Sequence, residues 1–325
     1  MNSLRGVPVC ITGGAGFIGS HLTDALVGVG AKVTVLDDLS TGRIENLDGV
    51  KDQIKLVRGS ILDDSCRSAA LAGNRVVIHL AAYVSAPGSV REPLACHEIN
   101  TTGTLGILEE CQKQGVSRIV FASSAAVYGD SEASPKAESH PILPCSVYAQ
   151  SKAAGEHMLR VWHHCHGLGA VSLRFFNVFG PRQTAGSAYA AAIAAFADAL
   201  LNGRSITIFG DGGQTRDFVP VANIVQCLMR AAAYEGEAPG DAFNVGLGES
   251  NTILDIARMM ASLVGAPRDV AFAPARPGDV RHSCADISRA QHVLGYQPLV
   301  SVESGLRDTL SWYQSAIAGA RGRSA

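Results

Sequence analysis

The sequence has no CxxC pair among its eight cysteines, no run of five or more basic residues, no internal repeat and no low-complexity linker. The cysteine spacing excludes a dithiol redox motif or a zinc ribbon. The thiols at 10, 66, 96, 111, 145, 165, 227 and 284 lie mostly in apolar segments, where buried, unreactive cysteines are expected. His163-His164-Cys165-His166 resembles a ligand cluster, but it sits just before Gly167 with no matching donors nearby, so a solvated helix C-terminus is the better reading. No metal site is expected. A formal charge of −2 leaves no global basic field for nucleic acid or an anionic membrane. No long lipophilic run is present: the Ala-rich stretch from Ala188 to Leu201 is broken by Asp198 and predicts a soluble helix. Val7 already begins the first apolar run, which leaves no room for a signal peptide. A cytoplasmic protein with reduced thiols is the expectation.

What the chain does have is core-forming material, 47% hydrophobic over 325 residues, enough for two domains or one large one. Its first half alternates β-branched runs with helical stretches. Strands are expected at Val7–Ile11, Lys32–Leu36, Gln53–Arg58, Arg75–Leu80, Arg118–Phe121 and Ala170–Arg174, with helices near Phe17–Val27, Asn100–Gln114 and around Tyr148. This alternation predicts an α/β fold of Rossmann type, a doubly wound parallel sheet. After Pro181 the pattern changes to an Ala-rich helix, short strands near Ile206 and Phe243, a helix near Ile253–Val264 and several Gly/Pro turns. Residues 1–180 are expected to form a dinucleotide domain, completed by parts of 212–245. Residues 181–325 are expected to form a smaller α+β lobe, with Ala318–Ala325 fraying.

The glycines at 13, 16 and 19 follow the first strand and open the first helix. Without Cβ atoms, such a turn lets backbone N–H groups approach a pyrophosphate at the helix N-terminus. Asp37 ends the second strand, where a carboxylate binds a ribose diol. Its charge disfavours a 2′-phosphate, and no arginine stands near it before Arg43, so NAD is favoured over NADP. Asp38 is either a second ribose contact or a turn cap. Tyr148 and Lys152 are four residues apart and share a helix face. An ammonium beside a phenol favours the phenolate, and such a tyrosine can take the proton of a sugar hydroxyl while a dinucleotide takes the hydride.

These motifs, with Asp37-Asp38-Leu39-Ser40-Thr41-Gly42, His79-Leu80-Ala81-Ala82, Asn100-Thr101-Thr102-Gly103-Thr104, Ser123-Ser124-Ala125-Ala126-Val127-Tyr128-Gly129, the segments Arg174–Arg182 and Gly210–Phe218, and Arg276-Pro277-Gly278-Asp279, resemble the extended short-chain dehydrogenase/reductase family, most closely its nucleotide-sugar 4-epimerases. The resemblance implies catalysis by Ser124, Tyr148 and Lys152. It implies cofactor contacts from Gly13, Gly16, Phe17, Ile18, Gly19, Asp37, Asp38, Ser40, Thr41, Gly42, Ser60, Ile61, Leu80, Ala81, Ala82, Asn100, Phe175 and Phe176, besides Tyr148 and Lys152. Substrate contacts are implied for Ser85, Ser124, Asn177, Ala191, Ala192, Thr207, Phe209, Arg216, Arg276, Asp279 and Ser283. Two arginines suit a dianionic diphosphate. Three departures stand out: Ser60 in place of an acidic adenine contact, Phe218 in place of a tyrosine, and Val84 where some UDP-glucose 4-epimerases carry lysine.

Related dehydratases place Asp-Glu after the catalytic serine or threonine; here Ala125-Ala126 can serve neither as acid nor as base. Epimerisation of a UDP-sugar at C4 is therefore implied, with UDP-GlcNAc/UDP-GalNAc or UDP-Glc/UDP-Gal as substrate, in surface polysaccharide or glycoconjugate synthesis. A net dehydrogenase or dehydratase of the same family, or a non-catalytic NAD-binding regulator, remains the alternative. Ser283, at the position that limits the C2 substituent in this family, is small enough for N-acetyl. A homodimer is expected through the helices bearing Leu105, Ile107, Leu108, Met158 and Leu159.

Overall fold

The computed structural model describes residues 2–184, 192–267, 269–275 and 280–321. The chain begins with β1 (Pro8–Thr12), α1 (Phe17–Gly28), β2 (Lys32–Asp37), β3 (Ile54–Arg58), α2 (Asp64–Leu71) and β4 (Val76–His79). Two short helices, α3 (Ala86–Arg91) and α4 (Pro93–His97), and a π-helical turn at Glu98–Thr102 lead into α5 (Gly103–Lys113). Then come β5 (Arg118–Ser124), α6 (Val147–His166), β6 (Gly169–Phe175) and β7 (Asn177–Phe179). The remainder holds α7 (Ala192–Leu201), β8 (Ile206–Phe209), β9 (Thr215–Arg216), β10 (Phe218–Pro220), α8 (Val221–Ala233) and β11 (Pro239–Val245). It ends with β12 (Asn251–Thr252), α9 (Ile253–Leu263), β13 (Val270–Ala273), β14 (His282–Ser283), α10 (Ser288–Leu294) and α11 (Val302–Arg321).

The main sheet has seven parallel strands in the order β11-β6-β5-β4-β1-β2-β3. Both faces are covered, which explains why the strands read as continuous apolar runs rather than alternating ones. Val9 and Ile11 join one core, with Val76, Ile78 and Val120, while Cys10 joins the other, with Val77, Ile119 and Phe121. Helices α1 and α8 pack together on the first face; α2, α5 and α6 cover the second. The strand order reverses between β1 and β4, so a crevice opens there at the carboxyl ends of the strands.

The strand expected near Phe243, within the 212–245 stretch, is β11, which pairs with β6 at the edge of the main sheet, Phe243 opposite Leu173. The lobe itself is built from the pairs β8/β13 and β7/β10, the three-stranded β12-β9-β14, and the mutually packed α7, α9 and α11. One apolar cluster runs from Val9 to Leu310, continuous between sheet and lobe.

The expected two-sided helices divide unevenly. Ile107, Leu108 and Leu159 have no exposed surface and pack on the sheet, whereas Leu105 remains 37% exposed. It faces outward with Leu94 and Val161, which are 83% and 53% exposed. All eight cysteines are free, and no group of three or more His, Cys, Asp or Glu among the described residues is placed to hold a metal. The His163–His166 run ends α6 as expected, with Gly167 in the left-handed region (φ 70°) and its N–H donating to His163 O. No helix among the described residues is long and apolar enough to cross a membrane.

Candidate active site

Thr12 ends β1, and the glycine turn that follows is forced by crowding. A Cβ on Gly13 would lie 2.8 Å from Ala81 N, and one on Gly19 would lie 2.0 Å from Gly13 O. Gly13 also has φ 73°, which L side chains rarely adopt. Gly16 caps α1 without any side-chain hydrogen bond, so the first-turn N–H groups of Phe17 and Ile18 are left for an anion. The Asp37 carboxylate is buried at the end of β2 and accepts from Ala15 N (2.8 Å) and Leu39 N (2.9 Å). Burial raises its pKa, and these two amides pull it back. Leu80, Ala81 and Ala82 follow β4 as a partly exposed strip, with Ala81 N bonded to the Thr12 hydroxyl. A bare helix end, a glycine floor that any Cβ would fill, and a carboxylate at the tip of β2 fit a dinucleotide with a free ribose diol.

The buried His79 imidazole braces this wall between Thr12 Oγ1 (2.7 Å) and Thr104 Oγ1 (3.1 Å). Burial pulls its pKa down to about 3, so it is neutral. Asp38 caps the turn, one oxygen taking both the N–H and the hydroxyl of Ser40, and its other oxygen is left for a ribose. Ser60 Oγ likewise accepts from Leu62 N and shapes the turn that contains Ile61. Thr41 is exposed, while a Cβ on Gly42 would lie 2.8 Å from the Asp37 carboxylate.

Ser124 ends β5 and caps the short turn Ala125–Tyr128, accepting from Ala126 N. Tyr148 stands in the first turn of α6, whose N-terminus is capped by Ser146, and its own N–H donates to Ser89 Oγ (3.0 Å). The Tyr148 phenol lies beside the Ser124 hydroxyl, which lowers its pKa. One turn on, Lys152 Nζ donates to Ala122 O (2.8 Å), lying 5.8 Å from the Tyr148 ring centroid and 4.9 Å from that of Phe121. Burial holds the phenol above the usual tyrosine value, and the Ser124 hydroxyl pulls it back.

Burial pulls the Lys152 ammonium down to about 8. Its folded pKa therefore lies below the unfolded value, so the cost to stability is fully present below about 8 and is relieved as pH rises toward ~10. The cost is about 3 kcal/mol at neutral pH. Lys152→Met should accordingly be as stable as wild type at pH 7 or more stable, by up to about 2 kcal/mol once the unpaired Ala122 carbonyl is counted, while losing turnover. Urea titrations at two pH values check this: the margin should close near pH 10, and a clearly less stable variant at pH 7 would contradict it.

Asn100, expected as a cofactor contact, also braces the protein: its oxygen accepts from Tyr83 N (2.7 Å), and its amide nitrogen donates to Tyr83 O and Ser151 Oγ, joining α6 to the 83–85 loop. Ser85 Oγ caps α3 by accepting from Gly88 N, which leaves its proton to offer a ligand. Ser89 and Thr12 went unnoticed in the sequence, since nothing local marks a serine in a loop or a threonine ending a strand as a brace.

Phe175 and Phe176 are buried at the end of β6, and Asn177 is exposed beside them. In the lobe, Thr207 and Phe209 are exposed on one face of β8, opposite Ala271 and Ala273. Ala192 opens α7. Arg216 on β9 pairs in register with Ser283 on β14, and both are half-buried. Ala191, Arg276 and Asp279 lie outside the described residues.

A model of the NAD dependent epimerase/dehydratase family matches residues 9–246. The chain is 39% identical over 309 residues to a UDP-glucose 4-epimerase of Mycolicibacterium smegmatis, covering 94% of this chain and 98% of that one. Its fold is similar to that of a UDP-N-acetylglucosamine 4-epimerase from Methanobrevibacter ruminantium in complex with UDP-N-acetylmuramic acid, with TM-score 0.92, 39% identity and coverage of 96% of this chain and 99% of that one. It is also similar to the Thermotoga maritima UDP-glucose 4-epimerase with UDP-glucose, with TM-score 0.90, 34% identity and coverage of 96% and 100%.

Proposed function

Because this chain belongs to the NAD dependent epimerase/dehydratase family, we propose that it inverts C4 of a nucleotide sugar, with a UDP-N-acetylhexosamine or a derivative of one as substrate. One observation carries the reading: Ser124, Tyr148 and Lys152 converge at the end of β5, and the neighbouring Ala125 and Ala126 bring no second acid or base. Eliminating water would require such a pair. Bound NAD, held by the Gly13–Gly19 turn, Asp37 and the Leu80–Ala82 strip, supplies the reversible hydride acceptor for C4. The chain does the rest. Tyr148 takes the O4 proton with Ser124 holding that oxygen, and Lys152 supplies the positive charge beside them. The 4-keto sugar then turns within the lobe, and Tyr148 returns the proton. Arg216, Arg276 and Asn177 hold the diphosphate, and Thr207 and Phe209 flank the base.

Incubation with UDP-Glc, UDP-GlcNAc and UDP-GlcA separately, with products resolved by NMR, tests the reading. C4 epimers should form without net reduction of the cofactor. Reduced cofactor accumulating in step with product would mean a dehydrogenase, and retained NAD with no product from any sugar would mean a regulator.

Two features support the N-acetyl sugar. Ser283 is small, and the Methanobrevibacter relative is a UDP-N-acetylglucosamine 4-epimerase. Ser283→Tyr is expected to depress turnover of UDP-GlcNAc by ~10–200-fold more than that of UDP-Glc, through steric exclusion. Equal losses on both sugars would place Ser283 outside the C2 pocket. The outward apolar residues Leu94, Leu105 and Val161 support a homodimer built on α5 and α6. Light scattering should give twice the chain mass at micromolar concentration, and the chain mass alone would exclude it.

A further inference from the structure

Beneath the catalytic residues runs a chain of buried polar side chains that the reaction does not use. Ser123, Arg174 and Asn244 are register partners across β5, β6 and β11, a row one residue short of Ser124 and Phe175. Glu156 lies one turn beyond Lys152 on α6, so Tyr148, Lys152 and Glu156 follow one another along a single helix face. Arg174 grips both Glu156 oxygens (2.9 and 2.7 Å), and Ser123 Oγ donates to the first of them. A third Arg174 nitrogen donates to Tyr128 Oη (2.8 Å), which donates in turn to Asn244 Oδ1 (2.7 Å). The Asn244 amide then donates to Lys136 O (2.8 Å) and Asp286 O (3.2 Å). All five side chains are at most 5% exposed.

The far end of this chain is the substrate lobe. Lys136 N donates to Cys284 O and Asp286 N donates to Lys136 O, so the segment held there directly follows Ser283, which pairs with Arg216. The near end is the helix that carries the base. A buried ion pair of this kind contributes little to stability compared with an apolar replacement, since desolvation offsets its Coulomb energy. Its value lies in fixing geometry.

We propose that Glu156, Arg174, Tyr128 and Asn244 form a positioning relay, coupling the seating of the Cys284–Asp286 segment over a nucleotide sugar to the placement of Tyr148 and Lys152 against Ser124. The relay rests on the reading of Tyr148 and Lys152 as catalytic. It makes the four residues positioning residues, touching neither sugar nor cofactor. Tyr128→Phe removes only the hydroxyl that joins the two halves, and the ring keeps its place 4.9 Å from the Arg174 guanidinium.

Two measurements on Tyr128→Phe decide it. Turnover should fall by ~10–10²-fold, the cost of a base displaced by up to about 1 Å, with KM changing less than about threefold. In wild type, UDP should slow amide exchange in residues 148–156, and in the variant that protection should vanish. The double variant Glu156→Leu/Arg174→Met separates placement from stability: it should unfold no more readily than wild type yet show the same loss of turnover. Turnover within about twofold of wild type in either variant, with UDP-dependent protection intact, would overturn the relay and leave a purely structural network. If wild type turned over no nucleotide sugar, the catalytic reading would fail, while the UDP-dependent exchange would still report whether the lobe and α6 are coupled.

Discussion

Replacing Tyr148 by phenylalanine is expected to lower nucleotide-sugar turnover by ~10²–10⁴-fold, the usual contribution of a positioned acid–base group. The fold should be untouched. Tyr148 is held through its backbone, by Ser89 Oγ on its N–H and Ser151 Oγ on its carbonyl, while the phenol lies beside the Ser124 hydroxyl. NAD content should also persist, because the glycine turn and Asp37 stand on other elements. The signature is thus lost turnover with intact melting behaviour and intact cofactor absorbance. Ser124→Ala should act through the same oxygen but more weakly, since it removes the hydroxyl that holds the phenol pKa down while leaving the base in place. A phenylalanine variant within a few-fold of wild type would move the base elsewhere.

The phenol, the ammonium and the glycine turn were legible in the sequence because their geometry is local. Four residues along a helix, or six around a turn, fix where side chains and N–H groups point. What decides the tyrosine's pKa is not local. Burial against β5 and the Ser124 hydroxyl set it, and neither follows from the spacing of Tyr148 and Lys152. For Asp38, ribose contact and cap both need the same residue at the same place, and the bond to Ser40 that makes it a cap is visible only in the structure. The buried pair of Glu156 and Arg174 spans 18 residues across a helix and a strand, and Tyr128 meets Asn244 across 116. Charged residues in apolar surroundings carry no mark of their partners. The same holds for β11. Its apolar run is short and bounded by turns, so its sequence suits either sheet, and the choice is made by pairing with β6.

Asp217→Ala is expected to cost about 3–5 kcal/mol in urea unfolding, the largest stability effect among residues of the lobe. Next to Arg216, this carboxylate is fully buried and faces the protein. One oxygen accepts from Leu247 N (2.8 Å), the other from Gly248 N (2.9 Å) and Ala285 N (3.1 Å). Burial outweighs the pull of the three amides and leaves its pKa raised to about 6, so it is mostly ionised at neutral pH. The side chain thereby ties the loop after β11 to the segment after Ser283, while its own carbonyl accepts from Asn177 N on β7. Alanine would leave three buried N–H groups unpaired, each costing ~1–3 kcal/mol less whatever water can enter. Asparagine keeps one acceptor oxygen but turns an NH₂ group toward N–H donors, so Asp217→Asn should fall between wild type and alanine. Because the same carboxylate aligns the segment that carries Ser283, KM for the nucleotide sugar should rise in the asparagine variant while the pH dependence set by Tyr148 stays put. An asparagine variant as stable as wild type would mean that the three amides find other partners, and that the seam between sheet and lobe does not depend on this charge.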